Sequence, residues 1–217
     1  MNAKTKNLVF QMCLVAIFAA LDFVITYFIA IPITLGGAGS GYFNFSDVLI
    51  FALAAIASPL AGGIAGGISG LFSDISLGWG LFAPYTLVIK FIEGIVAGYF
   101  FRFLKKFGKD NKGNDIWKSL VSFIIGGLLM AVLYMVPDIV TYVTTPVVDG
   151  EANSYLFVFI DLLFNSIQGL INAGIGCVVF MALYQVRGLF TKRLSLEKAN
   201  IDNQKVSSDD GNNQKGI

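Results

Sequence analysis

The chain has 217 residues, of which 56% are hydrophobic and only 13% charged, with a formal net charge of +1. Soluble domains run near 45–50% apolar and about 25% charged, so an ordinary water-soluble fold is excluded and a polytopic helical membrane protein is expected. Histidine is absent from the sequence, which removes histidine-based metal centres and any Ser-His or Cys-His nucleophilic pair.

In chain order, a short segment carrying Lys4 and Lys6 precedes a first span over Leu8 to Ile31, which is too long for a cleavable signal. Pro32 ends it, and a Gly-rich loop is predicted from Ile33 to Asn44. A short second span runs from Phe45 to Ser58. Ser58-Pro59 is a turn, because the residue before proline is biased away from helix. Leu60 to Ile75 is a third, glycine-laden span, and SLGWGLF (Ser76 to Phe82) a second loop. Ala83 to Leu104 is the fourth span, followed by a polar loop to Lys118. A fifth span begins at Leu120, with Pro137 ending or kinking it. A sixth occupies Tyr155 to Val186. The membrane domain is thus expected over residues 1–190, with 191–217 a polar, disordered tail. Cys13 and Cys177 fall inside apolar spans and read as structural.

Charge fixes the orientation. Fourteen of the fifteen Lys and Arg residues fall at the termini, at the 105–118 loop or next to it, whereas the loops on the other side carry Asp149 and Glu151 and no basic residue. By the positive-inside rule both termini are expected in the cytoplasm. The expectation is an all-α, multi-pass protein of the bacterial plasma membrane with six transmembrane helices.

The exception among the cations is Lys90, about two turns into the fourth span, with Glu93 three residues on. A lysine in mid-bilayer costs roughly 2.5–3.5 kcal/mol on insertion scales, so it needs partners. Glu93 and Asp161 are the candidates, and a ligand role stays open. In the sixth span Asp161, Asn165, Gln168 and Asn172 recur at i, i+4, i+7 and i+11, on one helical face. Lipid cannot satisfy such a stripe, so it faces protein or a water-filled cavity. Lys90, Asp161 and Asn165 are therefore expected to meet in one outward-facing cavity.

Asn44, Ser46 and Asp47 open the second helix, as N-caps or as ligands. Trp79, Phe82 and Tyr85 bracket an outer loop, either to stack on a flat ring or to anchor at the interface. Tyr134 and Asp138 are weaker candidates, and Asp22 and Asp74 read as helix-terminus or packing partners rather than ligands. Small residues form a second pattern: Ala16 and Ala20 on the first helix, and Gly62, Gly66 and Gly70 beside Gly63 and Gly67 on the third. Such rows let helices approach closely in lipid. Two adjacent rows exceed the need of one internal neighbour, so a docking face for other membrane helices is expected there.

Taken in order, the AxxxA at Ala16–Ala20, the YFNFSDVLIF start of the second helix, SPLAGGIAGGISGLFSD, FAPYTLVIKFIEGIVAG and FNSIQGLINAGIG resemble the substrate-capture (S) components of energy-coupling factor (ECF) vitamin transporters. The resemblance covers nearly the whole chain before the tail. It implies a high-affinity binder of a small water-soluble vitamin or precursor, with the ligand in the outer half under the loop at Ile33 to Asn44. It also implies association with a transmembrane coupling protein and two cytoplasmic ATPases, docked through Ala16, Ala20 and the region of Gly62, Gly66 and Gly70. On this reading the chain is no enzyme, holds no cofactor or metal, and binds lipid but no nucleic acid. ATP is hydrolysed by the partners, and the chain itself has no G-x-x-x-x-G-K-[ST] loop.

By pattern the ligand is expected to be pyridoxine-like or hydroxymethylpyrimidine-like, with pantothenate and riboflavin as alternatives. Expected ligand-binding residues are Asn44, Asp47, Trp79, Tyr85, Lys90, Asp161, Asn165 and Gln168. The competing reading is a stand-alone ion-coupled carrier working through Asp161, Lys90 and Glu93.

Overall fold

A computed structural model describes residues 3–35, 38–107, 112–144 and 158–185. It has six helices among these residues: α1 (Ala3–Ile29), α2 (Ser46–Ile56), α3 (Pro59–Leu77), α4 (Ala83–Lys105), α5 (Lys112–Thr144) and α6 (Val158–Gln185). Four contain stretches long and apolar enough to cross a bilayer: Leu8–Ile29, Pro59–Leu77, Gly113–Thr141 and Val158–Gln185. α4 has the length but carries Lys90, Glu93, Arg102 and Lys105. With 11 residues α2 rises only about 16 Å, roughly half a hydrocarbon core.

Three expectations are corrected. The Gly-rich segment after α1 is an antiparallel hairpin of β1 (Ile31–Leu35) and β2 (Ala38–Phe43), with a bulge at Ile33/Thr34. Pro32 therefore lies in a strand, where it is tolerated at a sheet edge. α5 begins at Lys112, so much of the predicted polar loop is helical, and it continues through Pro137. One lost backbone bond is absorbed within a helix of 33 residues. The tail assigned to 191–217 lies outside the described residues.

The short connections follow from local chemistry. Ser58 accepts the Ala61 N–H at 3.0 Å and Pro59 occupies the first turn, so α3 starts immediately after α2. Arg102 donates to the Ala57 carbonyl at 2.9 Å, satisfying one of the groups freed where α2 ends. α3 stops at Gly78, whose φ of 88° is a left-handed cap that few other residues adopt.

The unit Met1–Phe180 packs around α3 and α4. Ala19, Leu53, Ala61 and Ala65 form a small-residue seam joining α1, α2 and α3. Phe51 stacks on Phe123 at 5.0 Å and Phe180 meets Phe101 edge-on at 5.2 Å, filling the space among α2, α4, α5 and α6. Gly127 of α5 and Gly169 of α6 touch through their main chains, since a Cβ on either would lie 2.8 Å from the other's backbone. Of the second unit, Met181–Ile217, the described residues are the last of α6.

Candidate functional site

The polar stripe of α6 meets the start of α2, where the hairpin turns into helix. Asn44 is locked there on three sides. Its side-chain oxygen accepts the Ser46 N–H at 3.1 Å, its own N–H is accepted by Gln168 Oε1 at 3.0 Å, and its carbonyl accepts from Asn172 Nδ2 at 2.9 Å. Asp47 follows, fully buried. Its carboxylate accepts from Lys90, from Asn172 Nδ2 at 2.8 Å and from Gln168 Nε2 at 3.4 Å. Lys90 also pairs with Glu93 at 3.2 Å. One ammonium thus serves two carboxylates, all three residues being no more than 2% exposed.

Over this buried network lies a cavity of about 70 Å3. Asp74 of α3, Asp138 of α5 and Asp161 of α6 each contribute to its wall, with Asn165 and Gln168 beside them. Trp79 and Phe82, in edge-to-face contact at 5.9 Å, line it from the α3–α4 connection. Tyr134 donates to Thr86 at 3.1 Å across the α4–α5 side. On the hairpin side Tyr42 donates to Asp74 at 2.5 Å. Burial, and then the negative charge of Asp74, push the Tyr42 phenol above its ordinary pKa, so it stays a donor. A second cavity of about 250 Å3, lined by Tyr27, Pro32, Ile33 and Leu77, shares Gly41, Tyr42 and Trp79 with the first.

Of the residues expected to bind ligand, Asn44, Trp79, Asp161, Asn165 and Gln168 come together on the cavity wall. Asp47 and Lys90 do not line it. The expected meeting of Lys90 with Asp161 and Asn165 is replaced by the pair with Asp47 and Glu93, because a desolvated ammonium takes carboxylates in direct reach. Tyr85 is 37% exposed and lies outside the lining. Tyr42, Asp74 and Thr86 join the site without having been singled out for it, and Tyr134 and Asp138 are on its wall as well. Thr86, Lys90 and Glu93 share one face of α4, a signal that would have drawn Thr86 in. Asp22 is a packing partner as expected, accepting from Ser69.

The small-residue rows divide. Ala16 and Ala20 are exposed and line an open groove of about 710 Å3 between α1 and α3, with Ile64, Ile68 and Phe72 opposite. Gly62, Gly66 and Gly70 are buried, which corrects their assignment to a docking face for other membrane helices. A Cβ at Gly62 would meet Ala54 at 2.5 Å, one at Gly66 would meet Ile50, and one at Gly70 would meet Thr86. The neighbouring row presses on α4, Gly63 against Phe91 and Gly67 against Leu87.

The family model described as "ECF-type riboflavin transporter, S component" matches residues 6–185. The chain belongs to this family. It is membrane-embedded, and the family is one of vitamin-binding transporter subunits rather than enzymes. An uncharacterised protein of Pyrococcus woesei is 34% identical over 119 residues, covering 55% of this chain and 72% of that one. A solved structure, described as that of the S component of a bacterial ECF transporter, shares the fold with a TM-score of 0.54 and 23% identity, over 84% of this chain and 97% of that one.

Proposed function

We propose that this S component captures riboflavin, or a flavin of the same neutral kind, for an ATP-driven importer. The observation that carries the reading is the cavity wall itself. It sets the flat aromatic faces of Trp79 and Phe82 beside a set of acceptors and amides: Asp74, Asp138, Asp161, Asn165 and Gln168. Such a wall suits a ring that stacks and a chain of hydroxyls that donate. The family description favours riboflavin over the pyridoxine-like ligands expected from the sequence. Pantothenate is disfavoured because Lys90, the cation that was to meet its carboxylate, is already held by Asp47 and Glu93.

Pockets for small organic molecules occupy about 300–1,000 Å3, far above the polar cavity alone. The apolar chamber of about 250 Å3 shares Gly41, Tyr42 and Trp79 with it, and in this reading the ligand occupies both.

In this reading the chain itself needs no cofactor. A transmembrane coupling protein docks on the groove at Ala16 and Ala20, and two cytoplasmic ATPases hydrolyse the ATP. The test is equilibrium binding by the detergent-purified protein, followed through tryptophan fluorescence. The panel is riboflavin, pyridoxine, hydroxymethylpyrimidine and pantothenate. Tight, saturable binding of riboflavin with Trp79 quenching is expected. Binding of pyridoxine in its place would overturn the ligand assignment, and accumulation driven by an ion gradient in liposomes holding this chain alone would overturn the S-component mechanism.

A further inference from the structure

We propose that Asp22, Thr26, Ser69 and Ser73 form a binding site for a small monovalent cation between α1 and α3. Asp22 and Thr26 lie one turn apart on one face of α1, and Ser69 and Ser73 one turn apart on one face of α3. Ser69 donates to the Asp22 carboxylate and so fixes the register of the two helices. Ala19, a turn before Asp22, packs in the seam with Ala61 and Ala65, which precede Ser69. Both helices therefore advance together, and the next turn of each brings Thr26 level with Ser73. All four residues are at most 2% exposed, and none of them lines the polar cavity.

The second observation is what their oxygens lack. Asp22 Oδ1, Thr26 Oγ1 and Ser73 Oγ are buried with no hydrogen-bond partner among the described residues. Ser69 Oγ also lies 3.1 Å from the Gly66 carbonyl, yet it has one hydrogen to give and keeps lone pairs. Inside a span such atoms cannot turn to bulk water, and leaving them unpaired is costly.

Charge decides what fits. Lys90 is within electrostatic reach of Asp22, but its ammonium is paired with Asp47 and Glu93. One ammonium thus stands among three buried carboxylates, and Asp22 is the one it does not pair with. A proton on Asp22 would cancel the charge but leave the Thr26 and Ser73 oxygens unpaired. A water molecule would serve the hydroxyls and leave the charge. A cation held by carboxylate and hydroxyl oxygens answers both. Oxygen donors suit hard ions, and one carboxylate matches one positive charge, whereas calcium sites draw on several charged oxygens. The site does not depend on which vitamin is captured. Since α1 also carries Ala16 and Ala20 on the open groove, the ion pins the groove-lining helix to α3.

The experiment is thermal unfolding of the full-length protein in detergent, at one ionic strength, in sodium, potassium or choline chloride. Relative to choline, sodium or potassium is expected to raise the midpoint saturably by about 3 °C or more. Asp22→Asn and Ser73→Ala should each abolish this increment, whereas Ser76→Ala, at an exposed position of the same helix, should keep it. Ser73→Ala removes a single oxygen and carries the test should Asp22→Asn fail to fold. Equal midpoints in all three salts would overturn the site; if they also fall as pH rises, and only while Asp22 is present, a proton takes the place of the ion. An increment that survives both substitutions would put the ion elsewhere and overturn the assignment.

Discussion

The side-chain oxygen of Gln168 accepts the backbone N–H of Asn44 at 3.0 Å, tying α6 to the point where the hairpin becomes α2. Both residues are buried, so the bond has no water to replace it. Gln168→Leu should leave the Asn44 N–H unpaired and cost about 1–3 kcal/mol. Thermal unfolding in detergent reads this directly, and an unchanged midpoint would mean that the junction is held elsewhere.

Lys90 sits between Asp47 and Glu93 with almost no exposure. Removing one partner of a buried ion network strands the others, at about 3–5 kcal/mol. Lys90→Met should therefore destabilise strongly. The triple variant with Asp47→Asn and Glu93→Gln should recover much of the loss, because no bare charge remains. A triple variant no better than the single would refute a network that is mainly electrostatic.

Ala16 and Ala20 line the open α1–α3 groove and take no part in the cavity wall. Ala16→Leu with Ala20→Leu should leave riboflavin affinity within about threefold while co-purification with the coupling protein and uptake fall at least about tenfold. Parallel loss of binding and assembly would contradict the separation of the two surfaces.

The glycines of α3 and α4 should behave differently from those alanines. A Cβ at Gly94 would lie 2.6 Å from the Gly63 nitrogen and one at Gly62 would meet Ala54 main chain at 2.8 Å, whereas at Gly66 the obstacle is the movable end of Ile50. Gly94→Ala and Gly62→Ala should each cost about 1–3 kcal/mol, and Gly66→Ala less. Denaturation midpoints in that order are the expected result; the reverse order would mean that the helix backbones yield more easily than the Ile50 side chain.

How far the sequence carried these features depended on distance along the chain. The α6 stripe was legible because helical periodicity alone puts Asp161, Asn165, Gln168 and Asn172 on one face, and the first three do line the cavity, with Asn172 a turn beyond, on Asp47. Glu93 could be paired with Lys90 from local spacing. Asp47, which shares that ammonium, is 43 residues away and only the packing of α2 on α4 brings it there. The glycine rows showed that α3 is approached closely, but not by what. Two internal neighbours, α2 and α4, use both rows, and none is left over for a partner. The hairpin was hidden because IPITLGGAGSGYF has too few side chains to display a strand alternation.

The bare contact between Gly127 and Gly169 has a mechanical meaning. Asp138 lies eleven residues from Gly127 and Asp161 eight from Gly169, so the two carboxylates ride on arms of about 16 Å and 12 Å extending from one crossing point. A tilt of about 5° at that fulcrum moves the tips by roughly 1 Å each. The width of the mouth is therefore governed by an angle set deep between α5 and α6. A methyl group added at the crossing would retune which ligands fit without touching any of them.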